Sequence, residues 1–329
     1  MFKNVMVYRI GEGWSPSLSD VESALHNARF VECGATQDKS VGWTEPRGQD
    51  HGPLVESVGG QWIAKLMIES KAVPGSVVRR QLDERVAEIE AATGRKPGKK
   101  EKRDMQDEIL LSLLPQAFAR QSSVLVWLDM KARRLVLDSG SQGKADEAVS
   151  ALLKAMPDLN IALLQTATTP QAGMTEWLLA PNPEDWPADL CVERECTLKA
   201  TGEDAASIRY VRHHLATDDV RKHVTEGKLP TQLALSWDGR VAFVLTETLQ
   251  LKKVQFLDGV MDASGTDKSE DRFDADVALS TGLLSPLLDS LVQALGGEME
   301  WGAAPAASAA APAETAVASA AVAADDPPF

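Results

Sequence analysis

Cysteine is scarce here: Cys33, Cys191 and Cys196 are the only three in 329 residues. An odd, sparse set excludes a disulfide framework and reads as free thiols in a reducing cytoplasm. Cys191 and Cys196 have no histidine beside them, and a structural zinc site needs a tighter cluster of ligands. Long apolar runs are also missing. Nothing approaches the roughly 18 uninterrupted apolar residues of a membrane span. The start, MFKNVM, has no apolar stretch behind a basic one, so no secretory signal is expected there. Catalytic groupings are missing too. Gly94-Arg95-Lys96-Pro97-Gly98-Lys99-Lys100 fails as a phosphate-binding loop. Its glycines are too close, Lys100 stands where Ser or Thr should bind magnesium, and a helix rather than a strand precedes it. His213, His214 and His223 follow Arg209 and Arg212 and read as a cationic segment, not a metal site. The carboxylates of residues 271–276 surround Arg272 and read as an ion-paired loop. Ser122-Ser123 lacks the glycine elbow of a hydrolase. No enzyme, metal or cofactor is expected.

What is present is a 44% apolar chain, enough for a real core, with a net charge of −14. That charge is unevenly spread. Residues 176–301 hold 12 Lys+Arg against 23 Asp+Glu, and residues 302–329 add only Glu314, Asp325 and Asp326. The first 175 residues are therefore neutral, and they contain a basic island: Arg95, Lys96, Lys99, Lys100, Lys102 and Arg103 alongside Glu101. Positive charge gathered inside an acidic protein suggests a surface facing a polyanion. The plainer alternative is a solvated loop between two helices.

Periodicity places that island. Residues 3–10 read as a strand, Ser19 to Glu22 as a capping box opening a helix to about Ala28, and residues 61–69 as a strand. Val78, Leu82, Val86 and Ile89 recur at helical spacing until Gly94 and Pro97-Gly98 break the pattern. A second helix runs from Lys99 to Leu114, with Pro115 behind it. The island is thus the tip of a helical hairpin. Basic residues in a first turn oppose the helix dipole by a few tenths of a kcal/mol each (roughly 0.3–1), which points to another use for them. Residues 122–129 and 134–138 read as a hairpin, 144–156 as a helix and 160–164 as a strand. Residues 167–200 give no clear pattern. Thr217 caps a short helix ending at Gly227. Residues 231–237 and 240–246 pair across Asp238-Gly239, and residues 249–257 add a strand. Ser285-Pro286 reads as the start of a helix ending at Gly296-Gly297. From Gly302 onward, small side chains bury too little surface to offset chain entropy, so disorder is expected. Phe118, directly after the hairpin, reads either as a core aromatic or as an exposed finger touching DNA or a second subunit.

FKNVMVYR, DEILLSLLPQAFAR, LALSWDGRVAFVL and RFDADVALSTG with its closing LGGE occur in this order between Phe2 and Glu298. Together they resemble the recombination-associated RdgC family. The resemblance implies a bacterial, cytoplasmic, nucleoid-associated protein that is not an enzyme. It implies a mixed α+β fold with antiparallel sheets and a projecting helical tip, forming a ring-shaped homodimer. Duplex DNA would thread a positively lined hole independently of sequence and so restrain RecA-mediated strand exchange. The alternative is a regulator that acts directly on recombinase or replication and repair proteins, with DNA binding incidental. The expected organisation is a central part over residues 1–73 and 116–175, a tip over 74–115, a base over 176–301 and a tail over 302–329. DNA contacts would fall on Arg95, Lys96, Lys99, Lys100, Lys102, Arg103, Phe118, Arg120, Arg209, Arg212 and His213. The chain departs from the family at Gln116, where a basic residue is usual.

The last residues, Asp325, Asp326, Pro327, Pro328 and Phe329, lie outside that match. They resemble the acidic tip of bacterial single-stranded-DNA-binding protein, which implies docking on that tip's clients. Their chemistry also suits folding back onto the protein's own basic surface.

Overall fold

The structure, a computed structural model, describes residues 2–201, 206–257 and 269–300. Its first sheet has seven antiparallel strands in the order β2-β4-β5-β6-β1-β7, with β3 also on β4. These are β1 (Met6–Ile10), β2 (Lys39–Thr44), β3 (Val55–Val58), β4 (Gln61–Lys71), β5 (Ala119–Asp129), β6 (Arg134–Leu137) and β7 (Ile161–Leu163). Strand alternation divides its side chains between two cores. Met6, Tyr8, Ile10, Leu66, Val126, Leu128, Leu135 and Leu137 face one side. There they pack with Val21 and Leu25 of α1 (Leu18–His26) and Ala145, Ala148 and Leu152 of α4 (Gln142–Ala155). Val7, Ile63, Trp127 and Val136 face the other side.

The second sheet has the order β12-β11-β10-β8-β9. Its strands are β8 (Leu190–Ala200), β9 (Ser207–Val211), β10 (Lys228–Trp237), β11 (Val241–Thr246) and β12 (Leu251–Phe256). Asp238 and Gly239 turn β10 into β11 with φ of 48° and 62°, the left-handed pair that a two-residue hairpin requires. Leu198, Leu233, Leu235, Phe243 and Leu245 enter a core shared with α5 (Pro170–Leu179), α6 (Asp218–Thr225) and α7 (Ser269–Ala294). The underside of the first sheet joins the same core, so α7 lies between the sheets. Leu284, Leu287, Leu288 and Leu291 are buried along it and Leu295 just beyond its end, each contributing about 1.5–3 kcal/mol. Polar contacts fix its position. Arg134 pairs with Asp289 at 2.7 Å, Arg47 with Asp274 at 2.6 Å, and the Ser285 hydroxyl donates to Asp129 at 3.2 Å. A two-way bridge between Val5 and Leu251, at 2.8 and 3.0 Å, ties the sheets directly. α7 has the length and apolarity of a membrane span, but that side is used as core.

Several expectations change. Ser17, not Ser19, caps α1 and exchanges hydrogen bonds with Asp20. Glu22 instead accepts from the backbone N–H groups of Leu54 and Val55, anchoring the entry to β3. Pro286 lies inside α7 rather than at its start. The carboxylates expected in a loop are on that helix, and Asp274 pairs with Arg47 rather than Arg272. The unassigned residues 167–200 supply α5 and β8. Tail residues 302–329, including Asp325, Asp326, Pro327, Pro328 and Phe329, lie outside the described residues.

Candidate nucleic-acid interface

β4 and β5 stay paired from Trp62↔Leu128 as far as Lys71↔Ala119, past the end of β6 on one side and with β2 alongside β4 to Ser70 on the other, and this end of the sheet forms a neck. From it rise α2 (Gly75–Thr93) and α3 (Lys99–Leu113), which pack mainly on each other. Val78, Met105 and Ile109 are their buried residues. Gly94, at φ 71°, ends α2 in the left-handed conformation that lets the chain reverse. Glu69 fastens the neck: its carboxylate accepts from Cys33 N–H and from the Gln121 amide, both at 2.7 Å. The Gln121 bond and then the Cys33 N–H hold that carboxyl below the ordinary glutamate range.

The hairpin brings the basic island together but does not leave all of it free. Arg95 makes a two-pronged pair with Glu101 at 3.1 and 3.2 Å, and Lys96 lies 3.6 Å from Glu90. Glu101 also accepts from Gly98 N–H at 3.4 Å, where it supports the start of α3. Lys99, Lys100, Lys102 and Arg103 have no ion pair among the described residues. Lys99, Lys100 and Arg103 are exposed, and Lys102 is half-buried.

Phe118 and Arg120 stand at the base of the arm, where the chain enters β5. Phe118 is 93% exposed, which excludes the core alternative for the single chain. Leu111 on α3 is also exposed. Arg209, Arg212 and His213 lie on or just after the edge strand of the other sheet. Arg209 lies on edge strand β9 opposite Thr197, on the face turned away from the core. Arg212, at φ 55°, begins the turn after β9. His213 rests 5.2 Å from the Tyr210 ring. Burial, and a 2.7 Å hydrogen bond to Asp219, push the Tyr210 hydroxyl up to about 12. Lys253, not anticipated from the sequence, joins Arg209 on this face and pairs with Glu195 at 3.6 Å. Its signal, two adjacent lysines in a short strand, was visible in LKKVQF.

The histidines do not converge. His214 accepts from Ala216 N–H, while His223 lies between Asp219 and Glu226. Among the described residues no three His, Cys, Asp or Glu side chains are grouped to hold a metal ion. Burial pushes the Cys196 thiol up to about 12, so it is not a nucleophile at neutral pH.

Fold and site together define an α+β protein of two antiparallel sheets from which a helical arm with a cationic tip projects. Residues 1–298 match the RdgC family model, described as "Putative exonuclease, RdgC". Relatives named "Recombination-associated protein RdgC" include that of Dechloromonas aromatica, 39% identical over 91% of this chain and 98% of its own. Those of Janthinobacterium sp. and Cupriavidus pinatubonensis are 39% and 40% identical, each over at least 90% of this chain and 98% of their own. The chain belongs to the RdgC family.

Proposed function

We propose that this protein binds duplex DNA without regard to sequence, as a ring-shaped homodimer, and so restrains RecA-mediated recombination on the nucleoid. The observation that carries this reading is the arm. In a chain of net charge −14, Lys99, Lys100, Lys102 and Arg103 stand on its tip with no ion pair among the described residues. Four cations without counterions at the end of a projection attract phosphate and release its condensed ions. The acidic remainder repels the same polymer, which directs DNA to the cationic surfaces.

A second copy is supported by the apolar surface left open. Phe118 at the base of the arm and Leu111 on α3 are exposed, and exposed large apolar groups beside a functional surface favour a protein contact. Closing two arms on each other across such a contact encloses a passage. Arg120 beside the contact, and Arg209, Arg212 and His213 on the second sheet, then serve as its further cationic lining.

Equilibrium binding to two duplexes of unrelated sequence, over a series of salt concentrations, tests the reading. Equal affinities with a steep common salt slope are expected, and a strong preference for one sequence would defeat it. The family description names an exonuclease, so the same duplexes are incubated with magnesium. Intact strands fit binding, and shortened strands would reassign the arm to substrate capture. Direct action on the recombinase is the rival. Excess duplex that abolishes inhibition of strand exchange supports DNA occupancy, whereas unaltered inhibition supports the rival.

A further inference from the structure

Near the root of the arm, α2 and α3 diverge around a cavity of about 430 Å³. Val78, Leu82 and Leu110 supply apolar wall, and Arg79, Gln106 and Asp107 lie at its margin. Leu110 is 36% exposed, so part of this wall faces water in the structure. Arg79 is exposed and has no ion pair among the described residues. Arg103 lies one helical turn from Asp107 toward the tip, where the unpaired lysines begin. The notch therefore combines an apolar pocket with a cation at its mouth and a cationic ridge leading away from it.

The sequence contains one segment that matches this pattern feature by feature. Phe329 supplies an aromatic ring, and the carboxylates of Asp325 and Asp326 precede it across Pro327-Pro328. We propose that the protein's own residues 325–329 dock in the α2–α3 notch. Phe329 enters between Leu82 and Leu110, the Asp326 carboxylate meets Arg79, and Asp325 lies toward the Arg103 ridge. Two consecutive prolines restrict the free segment and lower the ordering cost of docking. Asp107 at the margin opposes an incoming carboxylate, which favours the Arg79 side.

The reach is sufficient. Met299 N–H donates to Gln165 at 3.0 Å, which places the last described residues beside the end of β7. β7 and β4 are separated by three strands of the sheet, about 19 Å at the usual strand spacing. The register through β1, β6 and β5 sets Gln165 level with Ala64. Lys71, at the foot of the arm, is seven residues further on, about 23 Å. The straight path is on the order of 30 Å, whereas residues 301–329 extend to about 95 Å.

Docked in this way, the acidic end covers cations assigned to DNA, so tail and duplex compete. That consequence rests on the duplex-binding reading, but the docking does not. The test replaces Phe329 in the full-length chain with the photo-crosslinker p-benzoylphenylalanine and maps its attachment by mass spectrometry, using mixed isotope-labelled and unlabelled chains. Attachment to Val78, Leu82 or Leu110 of the same chain, reduced several-fold by Arg79→Glu, is expected. Attachment elsewhere, attachment only between chains, or none would overturn the proposal. In parallel, Phe329→Ala is expected to raise duplex affinity several-fold at low salt. Notch attachment with unchanged duplex affinity leaves the docking in place and removes the arm from the DNA surface.

Discussion

Phe118 is the residue on which the two sequence readings diverged most, and its exposure determines what its removal should do. A core phenylalanine cut to alanine costs about 3–5 kcal/mol. Phe118→Ala should instead leave the melting temperature nearly unchanged while weakening dimerisation and retention on DNA. Melting curves beside sedimentation and binding measurements check this. A melting shift that accounts for the weaker binding would return Phe118 to a structural role. Gly42 is the opposite case. A Cβ there would lie 2.4 Å from the Phe30 backbone, because β2 runs close against residues 28–30. Gly42→Ala should destabilise the protein by about 1–3 kcal/mol, read from denaturant midpoints, without altering the salt slope of DNA binding. Glu69 gives a pH signature. Its folded-state carboxyl is held low by Gln121 and Cys33, so its stabilisation is present above the unfolded value and is lost as pH falls through the folded one. The neck should therefore loosen below about pH 4.3. Glu69→Gln should flatten the acid limb of the stability curve, and an unchanged limb would show that the neck is fastened by other groups.

The arm as an element divides its charges into two kinds. Lys99, Lys100, Lys102 and Arg103 have no ion pair among the described residues, so replacing all four with glutamine should reduce the log–log salt slope by roughly 0.9 for each phosphate that is no longer neutralised. The weakening should be uniform across sequences, because phosphate contacts carry no base information. An unchanged slope would remove the tip from the DNA surface. Arg95 and Lys96 already face Glu101 and Glu90, so alanine at either should affect binding less. This distinction was not legible in the sequence: Glu101 appeared as a lone acid among bases, and its two-pronged pairing with Arg95 depends on the turn geometry at Gly94. The hairpin itself was legible, because Val78, Leu82, Met105 and Ile109 keep helical spacing and glycine and proline interrupt it. α5 and β8 were not. α5 is apolar on several sides because Met174, Trp177 and Leu178 all enter a shared core, and β8 interleaves charges with its core residues. Pro286 misled for a related reason. Proline normally marks a first turn, but here packing by Leu283, Leu284, Leu287 and Leu288 carries the helix through it.

At the scale of the whole molecule, composition indicated a division of labour that the fold then distributed in space. The neutral first half supplies the seven-stranded sheet and the cationic arm. The acidic second half supplies the five-stranded sheet, whose outer face still presents Arg209 and Lys253. What sequence could not supply was the meeting of the two sheets on α7, since the ion pairs Arg134–Asp289 and Arg47–Asp274 join residues far apart in the chain. A passage closed by two arms makes affinity depend on electrostatics and retention depend on topology. The decisive measurement loads the protein at low salt on covalently closed duplex circles and on linear duplex of the same sequence, then raises the salt and follows what stays bound. A threaded ring should persist on the circles, leave the linear molecules by their ends, and leave the circles once a single double-strand cut is made. Equal loss from both forms, with no effect of the cut, would contradict encirclement.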